Sequence, residues 1–173
     1  MTRYYKPMKI VTNKRKRVVA ISGGFDPIHI GHVRLIQEAA RLGDELVVII
    51  NNDHWLRKKK GFVFMSEKER KEVIEAINGV ARAVLTKHPK NPSDMSVQKE
   101  LARIKPHIFA NGGDRTSHNT PEVRVCRKIG CEMVFRVGRG GKIQSSSWLV
   151  AAAVPSAPCY CKNGKKFKDC HGR

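Results

Sequence analysis

The chain has no apolar run approaching the ~18 residues that a bilayer-crossing helix requires. Its first residues, MTRYYKPMKIVTNKRKR, contain no apolar core of the kind a secretory signal carries, so a cytoplasmic location is expected. Aromatic residues make up only 6% and do not cluster, which argues against a stacking platform for single-stranded nucleic acid. Acids are scarce as well, 15 against 34 Lys and Arg. Five cysteines in an intracellular chain do not make a disulfide framework. Cys126 and Cys131 read as small buried residues, whereas Cys159, Cys161 and Cys170 crowd into the last fifteen positions. No internal repeat is present.

The sequence is long enough, at 173 residues and 40% apolar, for one domain with a proper core and short appendages. The net charge of +19 is uneven: residues 1–17 hold seven bases and no acid, and residues 155–173 hold five bases and one acid. Between these tails the balance is 22 bases to 14 acids. A basic arm (1–17), a central domain (18–154) and a linker with a tail (155–173) follow from this partition. Polyanionic partners, including nucleotides and nucleic acid, fit the charge.

The stretch VVAISGGFDPIHIGHVRLIQEA, from Val18 to Ala39, organises the central domain. A β-branched run ends in Gly23-Gly24, and an amphipathic pattern with Val33, Leu35, Ile36 and Ala39 on one face begins shortly after. This predicts a strand, a glycine turn and a helix. Asp26, His29 and His32 lie between the two elements, and Gly31 allows a ligand close to the backbone. His29 and His32, three apart in the expected first helical turn, share a face beside unpaired N–H groups, where phosphate is attracted. No Lys-Ser or Lys-Thr closes the loop, and the three-glycine dinucleotide turn is missing.

Further along, ELVVII (residues 45–50) predicts a fully buried strand, followed by the polar residues Asn51, Asn52 and Asp53. HWLRKKKGFVF reads as a lysine-bearing loop at that strand's carboxyl end, suited to clamp phosphates. Ser66 and Glu69 form a capping box for a helix to about Ile77, with Arg70 in its first two turns. A third strand is expected over 81–86, and a helix capped by Ser93 or Asp94 should run to Ile104. A fourth strand (107–110) runs into Asn111-Gly112-Gly113-Asp114. Thr120-Pro121-Glu122 has the features of a helix start, and Gly130 those of a stop. A fifth strand (131–137) leads to GRGGK, and Ser145, Ser146 and Ser147 cap a last short helix. Five alternations of strand and helix predict an α/β fold with a doubly wound, mostly parallel sheet whose glycine turns share one edge.

GGFDPIHIGH resembles the His-x-Gly-His motif of the cytidylyltransferase-like nucleotidyltransferases. ARLGDELVVIINND, the Lys-Lys-Gly loop with SEKERKEVI, and KPHIFANGGD are similar to the heptose-phosphate adenylyltransferases, and the element order also resembles glycerol-3-phosphate cytidylyltransferase. The resemblance implies a Rossmann-like sheet of about five parallel strands and transfer of AMP or CMP from ATP or CTP to a phosphorylated small molecule, with pyrophosphate released. It implies contacts from His29 and His32 to the nucleotide phosphates, and a mobile lysine, Lys59 or Lys60, that stabilises charge on the transferred group. It implies a nucleotide site made by Gly23, Gly24, Phe25, Asp26, Gly31, Asn52, Gly113, Asp114, Arg139 or Lys142, and Ser145 to Ser147. Three serines stand where the family has Ser-Thr-Thr, and KHPKNPSD departs from it where the acceptor pocket is shaped. Mg²⁺ is expected to travel with the triphosphate. Homodimers are usual in the similar families.

The tail PCYCKNGKKFKDCHG carries Cys-x-Cys, eight residues, then Cys-His, a spacing suited to tetrahedral Zn²⁺. It resembles the SEC-C motif, with Cys159, Cys161, Cys170 and His171 as its ligands and a small zinc knuckle implied. The basic tails suit RNA or an acidic protein. The alternative reading is a nucleic-acid-binding protein on a nucleotidyltransferase scaffold.

Overall fold

A computed structural model describes residues 16–141, 143–153 and 164–166. Lys142, the expected zinc ligands Cys159, Cys161, Cys170 and His171, and nearly all of the basic arm lie outside the described residues.

Five strands, β1 (Val18–Gly23), β2 (Glu45–Ile50), β3 (Arg82–Leu85), β4 (Ile108–Gly112) and β5 (Glu132–Val137), form one sheet in the order β3-β2-β1-β4-β5. Every pairing is parallel, with Val18 opposite Glu45 and Val19 opposite Ile108. Six helices accompany them: α1 (Ile30–Ala40), α2 (Asp53–Lys60), α3 (Glu67–Glu75), α4 (Gln98–Ile104), α5 (Val123–Ile129) and α6 (Ser146–Ala153).

The buried strands have two apolar faces because successive side chains alternate across the sheet. Val19, Ile21, Val48 and Ile50 pack with Ile36 and Ala39 of α1 and Ile74 of α3. Ala20, Ile49 and Phe109 pack on the other face with Leu101 of α4 and Cys126 of α5. Helices on both faces make the sheet doubly wound, as expected, and reversal of strand order at β1 and β4 opens a crevice at their carboxyl ends. Cys126 and Cys131 are buried free thiols. No helix among the described residues is long and apolar enough to cross a membrane.

Three sequence expectations need correction. HWLRKKK is not a loop but most of α2, capped by the Asn52 side chain, which accepts from the Trp55 N–H at 3.1 Å, and closed by Gly61 at φ 85°. Leu56 is fully buried, and the cations of the last turn face the helix's negative end. The helix expected from Ser93 or Asp94 begins only at Gln98, because the Asp94 carboxylate accepts from the N–H and hydroxyl of Ser96 in a local turn. The Thr120 hydroxyl donates to the Thr116 carbonyl, so it caps nothing and α5 starts at Val123.

Candidate active site

The crevice between the ends of β1 and β4 is a cleft of about 250 Å³. Its floor comes from Ser22 and Gly23 on β1 and from Asn111, Gly112 and Gly113 on β4. The turn into α1 adds Phe25, His29, Gly31 and His32, and α2 adds Lys60. Arg115, Arg139, Gln144 and Ser145 to Ser147 complete the wall. Among the described residues no carboxylate lines it, while two imidazoles, a lysine and two arginines do.

The two imidazoles are arranged by the helix start itself. His29 is the N-cap of α1, and its Nδ1 accepts from the Gly31 N–H at 3.1 Å. His32, three residues on, turns its Nδ1 back to accept from the His29 N–H at 3.3 Å, closing a capping box made of two histidines. A Cβ at position 31 would stand 3.0 Å from the His29 ring, so glycine is what allows the two rings to stack at 3.7 Å. Phe25 meets the His32 ring edge-on at 4.9 Å. With each Nδ1 committed as an acceptor, a neutral ring carries its proton on Nε2 as a donor.

Both rings are held neutral. Burial, then the charges of His29 and Lys60, lowers the His32 pKa to about 3. Burial and Lys60 also lower that of His29. A histidine whose folded pKa is depressed binds its proton more readily when unfolded, so its contribution to stability is complete above about pH 6.5 and is lost as pH falls toward 3. For His32 the loss at pH 5 amounts to about 2 kcal/mol. Urea unfolding at pH 7.5 and pH 5 is expected to show this fall, and His32→Gln, which preserves the capping box, is expected to flatten it. An equally steep fall in the variant would remove His32 as its source.

Lys60 is the member of the lysine run that lines the cleft. Its Nζ donates to the Asp26 carbonyl at 2.7 Å, and burial lowers its pKa, with Asp26 opposing and Arg70 reinforcing the shift. Lys59 is exposed and takes no part in the lining. Ser146 Oγ donates to the Pro27 carbonyl at 2.9 Å, tying the start of α6 to the histidine turn, and Ser145 Oγ accepts from the Ser147 N–H.

Thus His29, His32, Lys60, Gly23, Phe25, Gly31, Gly113, Arg139 and Ser145 to Ser147 meet in one cleft, while four other candidates are not in its lining. Asp26 is fully buried, its two oxygens accepting from the N–H groups of Phe64 and Met65 at 2.8 and 2.7 Å. The Gly24 carbonyl accepts from Arg70, and Asn52 spends its amide on the α2 cap and the His88 carbonyl. Asp114 is absent from the lining, and its carbonyl accepts from Asn119. Sequence reasoning missed Arg115 and Gln144, which flank the predicted Asp114 and Ser145, and the positioning residue Arg70. No group of three or more His, Cys, Asp or Glu among the described residues is placed to hold a metal ion.

Residues 20–147 match the family model described as Cytidylyltransferase-like. The chain belongs to the cytidylyltransferase-like family. It is 32% identical over 136 residues to the bifunctional protein HldE of Pelobacter propionicus, a match covering 78% of this chain and 25% of that protein. It is 39% identical over 102 residues to the FAD synthase of Pyrococcus horikoshii, covering 58% of this chain and 66% of that one. The FAD synthase of Aciduliprofundum boonei is 35% identical over 126 residues, covering 72% and 80%. The lipopolysaccharide core biosynthesis protein of Thermoplasma volcanium superposes with a TM-score of 0.58 at 27% identity, covering 71% of this chain and 98% of that one. The matched segment therefore spans a quarter of HldE and just under two thirds of the Pyrococcus FAD synthase.

Proposed function

We propose that this protein transfers an adenylyl group from ATP to a phosphate monoester and releases pyrophosphate. The observation that carries the reading is the cleft at the β1–β4 crevice, lined by no carboxylate among the described residues, where two neutral imidazoles, Lys60 and the serine-capped start of α6 converge. An acceptor phosphate is already an oxyanion, so no nucleophilic side chain is needed. Its oxygen forms the new bond to the α-phosphorus as the bond from that phosphorus to the bridging oxygen breaks, and the electron pair leaves with pyrophosphate. The protein's task is alignment and charge neutralisation. In this reading His29 and His32 donate from Nε2 to phosphate oxygens, Lys60 moves from the Asp26 carbonyl to the transferring group, and Ser145 to Ser147 receive the far phosphates. Arg139 or Lys142 meets the nucleotide.

Magnesium would enter with the triphosphate and supply charge neutralisation, because both oxygens of Asp26 are already taken by backbone N–H groups. FAD contains an adenylyl group, so relatives named FAD synthase favour ATP over CTP. The acceptor is a sugar, polyol or cofactor-precursor phosphate, and a homodimer is the expected assembly. The reading extends to the tail, where Cys159, Cys161, Cys170 and His171 hold one Zn²⁺ whose binding energy folds that segment.

A pyrophosphate-release screen of four nucleoside triphosphates against a library of phosphate monoesters tests the reaction. Release with ATP and one acceptor is expected, and silence across the whole panel would overturn the reading. Elemental analysis of the same preparation is expected to find one zinc per chain; a metal-free preparation would remove the tail assignment alone.

A further inference from the structure

A second hollow, of about 540 Å³, lies on the outer side of α2, where that helix faces the connection between β3 and α4. It is lined by His54, Arg57, Lys58, Lys90 and Asn91. Neither a carboxylate nor an apolar side chain contributes to it, and among the described residues its three cations form no ion pair. The cations of α2 belong in part to the helix's negative end. That does not account for Lys90, which a different element brings to the same hollow.

The two walls are fastened together. His54 Nδ1 lies 3.1 Å from the His88 carbonyl, to which Asn52 also donates at 2.8 Å, and Lys58 Nζ donates to Asn91 Oδ1 at 2.7 Å. Asn91 adopts φ 53°, turning the chain so that Lys90 and Asn91 face α2. Like charges are thus gathered by hydrogen bonds between elements, where mutual repulsion would otherwise spread them.

We infer that this hollow is a docking site for the phosphate backbone of nucleic acid, independent of the nucleotidyl-transfer cleft. All five lining residues are exposed, so a single small anion there would gain little from a screened surface pair. An extended polyanion gains differently, because each phosphate neutralised releases condensed counterions and weak contacts add along the strand. The net charge of +19 supplies the long-range attraction. No Phe, Tyr or Trp lines it among the described residues, so phosphate contacts dominate over base stacking and binding depends little on sequence. The hollow sits at the carboxyl ends of β2 and β3, the same sheet edge as the cleft, while Lys60 on another side of α2 points into the cleft.

The test is fluorescence anisotropy of the full chain with labelled 20-nucleotide RNA and DNA strands from 50 to 300 mM KCl, comparing the wild type with Arg57→Gln/Lys90→Gln. Both strands are expected to bind. The double variant is expected to lower the salt slope by about 1.4 and the affinity at 100 mM KCl by about 25-fold, from ~0.7 per single-strand phosphate contact. Its melting temperature should be unchanged. No binding by the wild type, or wild-type affinity and slope in the double variant, would overturn the site, the latter assigning binding to the basic tails. Full displacement by 5 mM inorganic phosphate would also overturn it, by making this a small-anion site.

Discussion

His32→Ala is expected to lower kcat by ~10²-fold or more while the chain stays folded, the scale of removing one preorganised donor from a transition state. The expectation rests on how the ring is held. Its Nδ1 is bound to the His29 N–H, its face stacks on His29 and its edge meets Phe25, so Nε2–H has one orientation available and no reorganisation to undergo as charge builds on the transferring phosphoryl group. The ring is neutral at pH 7, with a pKa near 3, so it acts as a dipole and not as a charge. Activity of the free enzyme should therefore be insensitive to His32 titration between pH 6 and 8.

The variant also loses a capping acceptor and some packing, worth about 1 kcal/mol, which a melting curve would register as a few degrees. A transition-state donor shows as a fall in kcat with KM for ATP nearly constant, whereas a role in ground-state binding alone raises KM. His32→Gln keeps an amide N–H near the same place and should recover part of the loss. Wild-type turnover in the alanine variant would dismiss His32 as a catalytic donor.

The histidine turn was legible because everything that makes it is local: a β-branched strand, two glycines, and two histidines at helical spacing within fifteen residues. The same holds for the capping box at Ser66 and Glu69, where both reciprocal bonds are present. Helix α2 was not legible in the same way. Its four consecutive cations suggest a solvated loop, and the features that override them are a cap at Asn52, a buried Leu56 and a Trp55 whose Nε1 donates to the Met95 carbonyl forty residues away. Tertiary burial of one face outweighed the polar, cation-rich composition of the segment. Asp26 misled for a related reason. A carboxylate beside a phosphate-binding turn reads as a ligand, yet its partners are the N–H groups of Phe64 and Met65, which no local pattern could bring to it. Arg115 reaches the cleft only because the turn after β4 folds over it, in loose contact with the buried Glu122 at 3.8 Å.

The largest effect on stability is expected at Arg70, whose side chain is wholly buried in α3. Four bonds radiate from its guanidinium. Nε donates to the Met65 carbonyl at 3.0 Å, Nη1 to the carbonyls of Gly24 and Asn51 at 2.7 Å each, and Nη2 to Asp53 Oδ1 at 2.7 Å. One planar fork thus joins the turn after β1, the end of β2, the start of α2 and the segment leading into α3. Asp26 reinforces the same junction from the opposite side through Phe64 and Met65. Arg70→Met conserves much of the volume but strands three carbonyl oxygens and the Asp53 charge, at a cost of about 3–5 kcal/mol. For a chain of this size that corresponds to a fall in melting temperature of roughly 10 °C. Arg70→Lys retains the charge, but an ammonium lacks the fork that serves four acceptors on separate elements, so it should recover less than half of the loss. Because the Gly24 carbonyl belongs to the turn that sets Phe25 and His29, both variants should also raise KM for ATP more than they lower kcat. Urea unfolding decides the matter: an Arg70→Met protein within 1 kcal/mol of wild type would mean that the junction is held by packing and that the guanidinium is dispensable.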